Sequence, residues 1–278
     1  MKKILVPTDF SDCANNAWQA SLKLAQITGA EIHFLHVADI PTDWRSMGDG
    51  DKMYPEVTKR VQSFHAQLDK LVNETNKAAV LAHKYLSFNK DYRAILDHIS
   101  GFDIDLVVMG SRGASGLKEW VVGSNTQKIV RLSPVPVLVT KDIEPDGFKL
   151  DNLVFVSDFS EEVMEQFKQY VEFTQLFNAK LSLLFINTPE NFTDTLTTKI
   201  NMGNYAMHAP GLIENTYIFN HYSFLRGLNA FCEEHDIDAL CMITHGSSSG
   251  MHLFNNSLTE KVVNHVKLPV LTMHFSSD

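Results

Sequence analysis

Cysteine is scarce: there are three in 278 residues, Cys13, Cys232 and Cys241. Their spacing fits neither a zinc ribbon nor a CxxC redox pair, and so sparse and odd a count points to a reducing compartment. Long apolar runs are missing too. No stretch approaches the roughly 18 residues of a membrane span. The opening Met1-Lys2-Lys3-Ile4-Leu5-Val6-Pro7 has no apolar core of a signal peptide. A cytoplasmic location is expected, with no membrane partner. Positive charge is in deficit: 24 Lys and Arg stand against 33 Asp and Glu, a formal net charge of −9. With no local basic cluster either, a broad nucleic-acid-binding face is excluded. What is present is ordinary for a globular protein, 44% hydrophobic and 21% charged. The length suits one large domain or two modest ones, each able to bury a core.

The chain repeats itself. Ile4-Leu5-Val6-Pro7-Thr8-Asp9-Phe10-Ser11 returns as Leu153-Val154-Phe155-Val156-Ser157-Asp158-Phe159-Ser160. The segments 30–37, 103–109 and 136–139 return, in the same order, at 179–186, 236–242 and 269–272. Between the copies, the polar stretch from Lys141 to Gly147 contains Pro145 and reads as a linker. Asp9 and Asp158 lie 149 residues apart but Asp103 and Asp236 only 133, so the second copy is shorter in its middle. That middle, Asn187 to Asn215, is rich in Asn and Thr and predicts an irregular loop with little helix.

Short apolar runs alternate with helical periodicity. Strands are expected at 3–7, 31–37, 80–86, 105–109 and 136–140, then at 152–156, 180–186, 215–219, 239–243 and 269–273. Helices are expected near 12–28, 56–77, 91–101, 123–132, 161–177, 223–234 and 257–266. This alternation implies an α/β fold with right-handed crossovers and a doubly wound parallel sheet. Ligands of such sheets sit beyond the carboxyl ends of the strands, at the switch point. In the first copy Asp9, Val37 and the loop after Met109 converge there.

That loop runs Met109-Gly110-Ser111-Arg112-Gly113-Ala114-Ser115-Gly116 and closes with Gly123-Ser124-Asn125-Thr126 before a helical run. Glycines at 110 and 113 let backbone N–H groups approach an anion, in φ regions other residues avoid. Gly123 and Ser124 stand at a helix N-terminus, which favours phosphate, and the Ser124 and Thr126 hydroxyls add donors. The pattern is neither a P-loop nor GxGxxG. A glycine-rich turn capping a helix is the plainer reading of the same residues.

Gly110-x2-Gly113-x9-Gly123-Ser124, the first strand Ile4-Leu5-Val6-Pro7-Thr8-Asp9 and the last, Ser133-Pro134-Val135-Pro136-Val137-Leu138-Val139, together resemble the ATP-binding universal stress proteins. The resemblance covers nearly the whole chain, as a tandem: residues 1–141 as an ATP-binding domain, residues 150–278 as a degenerate one. It implies two five-stranded parallel sheets with helices on both faces, paired as a pseudo-dimer through the last strands, 136–139 and 269–272. A further association into homodimers stays open. The resemblance assigns adenosine to Pro7, Thr8, Asp9 and Val37. Phosphates fall to Met109, Gly110, Arg112, Gly113, Gly123, Ser124, Asn125 and Thr126. The implied ligand is ATP, which Mg or Mn can accompany. The implied function is stress-linked regulation with little or no turnover, and no catalytic residue is assigned.

Other readings stand beside these. Asp9 and Asp158 also suit helix caps, and Arg112 suits either a phosphate or solvent. His33 and His36 point to opposite faces of a strand and cannot share a metal. The remaining histidines match no metal motif, so no metal site is expected. Cys13 reads as a thiol at a helix start or a small buried side chain. There is no nucleophile elbow. A slow ATP-hydrolysing enzyme and a module that binds no nucleotide are the competing functions. Against the enzyme, Pro7-Thr8-Asp9 stands where ATP pyrophosphatases carry an SGGxDS-type loop. Aligning Gly116 with Gly250 sets Thr244 and Ser247 against Gly110 and Gly113, and Asn256-Ser257 against Gly123-Ser124. One ATP per chain, in the first copy, is therefore expected.

Overall fold

In the computed structural model of the chain, the described residues are 1–40, 55–88, 91–111, 123–141, 147–245 and 256–275. The first half runs β1 (Lys3–Pro7), α1 (Asp12–Thr28), β2 (Glu31–Val37), α2 (Pro55–Lys77), β3 (Ala82–Ser87), α3 (Arg93–Phe102), β4 (Leu106–Gly110), α4 (Ser124–Leu132) and β5 (Val137–Thr140). The second runs β6 (Asn152–Val156), α5 (Met164–Leu176), β7 (Lys180–Asn187), α6 (Thr195–Met207), β8 (Ile213–Asn220), α7 (Phe224–Glu234), β9 (Ala239–His245), α8 (Asn256–His265) and β10 (Val270–Phe275).

All strands join one sheet in the order β3-β2-β1-β4-β5-β10-β9-β6-β7-β8. Each half is parallel, and the halves meet where β5 and β10 pair antiparallel, Leu138 opposite Leu271. The expected pseudo-dimer is thus built within one chain, and two strand edges that would otherwise lie open are paired. Burial explains the apolar strands: Ile4, Leu5 and Val6 are all fully buried, and consecutive residues feed clusters on opposite faces. Across the seam the Thr272 hydroxyl donates to the Val137 carbonyl at 3.3 Å, and within the second half the Tyr170 hydroxyl reaches the carbonyls of Met242 and Leu271.

Local signals set the helix ends. The Ser11 hydroxyl accepts from Ala14 N–H at the start of α1, and Gly29 closes it at φ 72°. The Asp-Phe-Ser turn recurs as backbone geometry. Phe10 and Phe159 both take left-handed φ, 64° and 58°, a cost of about 1–2 kcal/mol for a residue with a Cβ. The turns are held alike. Thr8 and Ser157 hydroxyls accept from the Phe N–H, and Asp9 and Asp158 carboxylates accept from the Ser N–H two residues on.

One expectation fails. Residues 187–215 carry a 13-residue helix, α6, rather than an irregular loop. Asp194 caps it by accepting from both Leu196 and Thr197 N–H at 3.0 Å. Its sequence has low helix propensity, but Thr198, Met202 and Tyr205 fall on one stripe and are buried. Tertiary packing outweighs propensity here. Two boundaries also move: β3 begins at Ala82, after Ala79 turns through φ 61°, and α5 is preceded by a 3-10 turn, Glu161–Val163.

Candidate functional site

Where β1 and β4 diverge, the crossovers run to opposite sides of the first half's sheet, and the carboxyl ends of the strands leave a crevice. A cavity of about 350 Å³ lies there, within the size range of small-molecule sites. β1 and the turn after it contribute Pro7, Thr8 and Asp9; β2 contributes Val37; β4 contributes Met109 and Gly110. The opening of α4 supplies Gly123, Ser124, Asn125 and Thr126. Ten of the twelve residues chosen from sequence thus surround one space. Arg112 and Gly113 lie outside the described residues. Three lining residues were not anticipated, Ala14, Leu35 and Ile95. Leu35 had a signal, since it sits two residues before Val37 and so shares its face. These apolar side chains line a space otherwise walled largely by polar groups and backbone.

The phosphate-favouring edge is the start of α4. Its first backbone bond back to the cap runs from Gln127 N to the Gly123 carbonyl at 3.1 Å. The N–H groups of Ser124, Asn125 and Thr126 therefore precede the helical ladder, at the positive end of the helix dipole. Ser124 and Asn125 are exposed. The edge is fixed to β4 twice. Gly123 N–H donates to the Ser111 carbonyl at 3.0 Å, and the Thr126 hydroxyl donates to the Gly110 carbonyl at 3.1 Å. The Thr126 hydroxyl therefore ties the loop ends together, while its backbone N–H stays on the phosphate-favouring edge and the residue lines the cavity.

The glycines also work differently from expectation. Neither Gly110 nor Gly123 is among the described glycines with positive φ, and Gly123 sits at φ −56°. Gly110 is required by packing instead. A Cβ there would stand 2.6 Å from the Cys13 carbonyl oxygen and 2.9 Å from the Cys13 Cβ, so its absence lets the start of α1 close on the end of β4. Cys13 itself is half-buried in that contact.

Asp9 serves the turn and the cavity together, since the carboxylate that caps Ser11 N–H also lines the space. Behind it, His36 donates from Nδ1 to the Thr8 carbonyl at 2.7 Å. Burial pushes the His36 imidazole below its ordinary range, against the opposing pull of that carbonyl and of Asp9. A neutral His36 pins the backbone of the cavity wall.

Strand register changes the comparison of the two halves. Val107 pairs with Val137 and Leu240 with Val270, so Gly110 corresponds to Ile243, not Thr244. The tie repeats accordingly: the Thr259 hydroxyl donates to the Ile243 carbonyl at 3.4 Å. The two loops are then equal in length, and by sequence Gly246 falls at Gly113; residues 246–255 lie outside those described. The first and last glycine positions remain changed, to Ile243 and Asn256. In addition, Leu258 stands where Asn125 lines the cavity, and it packs against the core. The chain after Ser160 opens in the 3-10 turn Glu161–Val163 instead of entering an α-helix directly.

No helix among the described residues is long and apolar enough to cross a membrane. The model of the universal stress protein family matches residues 1–141 and 226–274. The universal stress protein YxiE of Bacillus subtilis is 33% identical over 147 residues, covering 50% of this chain and 98% of that protein. A universal stress protein of Synechocystis sp. is 24% identical over 293 residues, covering 98% of this chain and 99% of that protein. The crystal structure of a universal stress protein from Archaeoglobus fulgidus superposes with a TM-score of 0.72 over 98% of both chains at 19% identity, a likeness of fold. With its family model matched over most of its length, and with a relative aligned from end to end, this chain belongs to the universal stress protein family.

Proposed function

We propose that this protein is a cytoplasmic ATP-binding regulator of stress responses with little or no turnover. Residues 1–141 form the nucleotide-binding domain, and residues 150–278 form a degenerate mate. The observation that carries this reading is the convergence of ten of the twelve residues implied by the family resemblance on one cavity that has an apolar lining on one part and a helix N-terminus on another. A purine suits the former and phosphates the latter. A Mg or Mn ion would enter with the phosphates. Low turnover rests on the wall chemistry. Among the described lining residues Asp9 is the one ionisable side chain, and its Oδ1 already accepts Ser11 N–H at 3.1 Å. A positioned base for water needs both reach and a suitable pKa.

Calorimetry tests the site. Wild-type protein is expected to bind ATP in the micromolar to sub-millimolar range, about 5–8 kcal/mol. Asp9→Ala is expected to weaken binding about tenfold, the scale of one hydrogen bond to a charged group. Its circular dichroism should match wild type. Equal affinity in the two proteins would remove Asp9 from the site. Steady hydrolysis above about one turnover per second, the low end for enzymes, would overturn the regulatory reading.

A further inference from the structure

Away from the cavity, at the amino-terminal end of β2, three potential metal ligands meet. Glu31 and His33 lie two apart on one face of the strand, and β2–β3 register sets His33 directly beside His83. Glu31 Oε1 is 3.2 Å from His33 Nε2, and Glu31 Oε2 is 3.4 Å from His83 Nε2. One ligand atom from each of the three residues lies within 4.8 Å of the other two. Around a tetrahedral Zn²⁺ with bonds of about 2.0–2.2 Å, neighbouring ligand atoms stand about 3.3–3.6 Å apart. The corner needs only a small closure to match.

We propose that Glu31, His33 and His83 form a binding site for a divalent transition metal of the Zn²⁺ class. Two imidazoles and one carboxylate favour Zn²⁺ over Mg²⁺, and a fourth position remains for water. The corner also has the supporting layer such sites use. His33 is buried, and its Nδ1 lies 3.2 Å from His98 Nε2 on α3. With metal on His33 Nε2, Nδ1–H donates to His98. Without metal, Nε2–H donates to Glu31 and the tautomer reverses. His83 and Glu31, with side chains 41% and 25% exposed, give the ion an entrance.

The second half is an internal control. There Lys180 and Ser182 occupy the places of Glu31 and His33, with Asn215 on the neighbouring strand, and Lys180 pairs with Glu214 at 2.8 Å. Phe231 takes the place of His98 beside Tyr217, as His98 stands beside Tyr85. The fold builds this corner without the ligand set, so the sheet does not require it. The site is also separate from the ATP cavity, since Val37 lies four residues along β2, about 13 Å away.

The test uses the untagged full-length chain, free of nucleotide, titrated with Zn²⁺ by calorimetry and with Co²⁺ by visible absorption. One ion per chain is expected, with a tetrahedral Co²⁺ band and no competition from Mg²⁺. His83→Ala and Glu31→Gln should each lower Zn²⁺ affinity at least tenfold and leave ATP binding unchanged. His98→Phe, the residue of the second half, should lower it about 10–100-fold as a positioning change. Nitrogen NMR should show the His33 proton on Nδ1 only in the Zn²⁺-loaded protein. Zn²⁺ binding of the same strength in wild type and in both ligand variants would overturn the proposal, as would no binding at millimolar Zn²⁺.

Discussion

Leu271→Ala is expected to destabilise both halves together, by about 2–5 kcal/mol. Leu271 is 1% exposed, pairs with Leu138 across the seam and belongs to the cluster that runs through both halves. Truncation leaves a cavity there, and a packed interior relaxes only partly around one. The backbone near it is constrained too, because the Leu271 carbonyl receives the Tyr170 hydroxyl. The chain supplies its own reporter. Its three tryptophans, Trp18, Trp44 and Trp120, all lie in the first half, while the substitution is in the second. Urea unfolding followed by tryptophan fluorescence should therefore shift to lower denaturant as far as far-UV circular dichroism does. If fluorescence keeps its wild-type midpoint while circular dichroism splits into two steps, the halves fold independently and the seam does not couple them.

Gly110→Ala is expected to cost about 1–3 kcal/mol, the range for overpacking a tight interior, and to lower ATP affinity at least tenfold. The added Cβ would meet backbone, the Cys13 carbonyl at 2.6 Å, and backbone cannot swing aside as a long side chain can. Relief requires the start of α1 to back away from β4. Ala14 from α1 and Met109 from β4 both line the cavity, so relief also deforms the site. Gly203→Ala in α6 is the matched control. Nothing lies within 4 Å of a Cβ there, so a helix-interior glycine is replaced at a gain of about 0.5–1 kcal/mol. Thermal melts of opposite sign would support the packing role of Gly110. A Gly110→Ala protein as stable as wild type, with intact ATP binding, would return this glycine to the loop-flexibility role.

Much of this was legible because burial on both faces writes parallel strands as short apolar runs, and because the repeat gives each element a second witness. Asp9 and Asp158 marked the same turn twice, and the structure holds both alike. The cavity was legible for a topological reason: three strand ends and one helix start must converge at the switch point. What escaped depends on contacts distant in sequence. The helix at 195–207 is written in poor helix formers, and only its docking through Tyr205 onto Phe155, Phe159 and Phe167 explains it. Thr126 looked like a free hydroxyl until the Gly110 carbonyl was found opposite it. His83 is 50 residues from His33, and strand register alone brings the two together. The equivalence of Gly110 with Ile243 rests on register in the same way, since matching the loops on Gly116 and Gly250 moves it by one residue.

ATP stoichiometry tests the central claim, a single nucleotide site in the first half, most directly. Calorimetric titration of wild type and Gly113→Val is the measurement. The first half keeps Gly110, Gly123 and the exposed Asn125, whereas the second has Ile243, Asn256 and the core-packed Leu258. The resemblance assigns Gly113 to the phosphates, so a valine at 113 is expected to block ATP. One ATP per wild-type chain, and none after Gly113→Val, is the predicted result. Two ATP per chain, with one retained after Gly113→Val, would show that the second half binds nucleotide and would contradict the account.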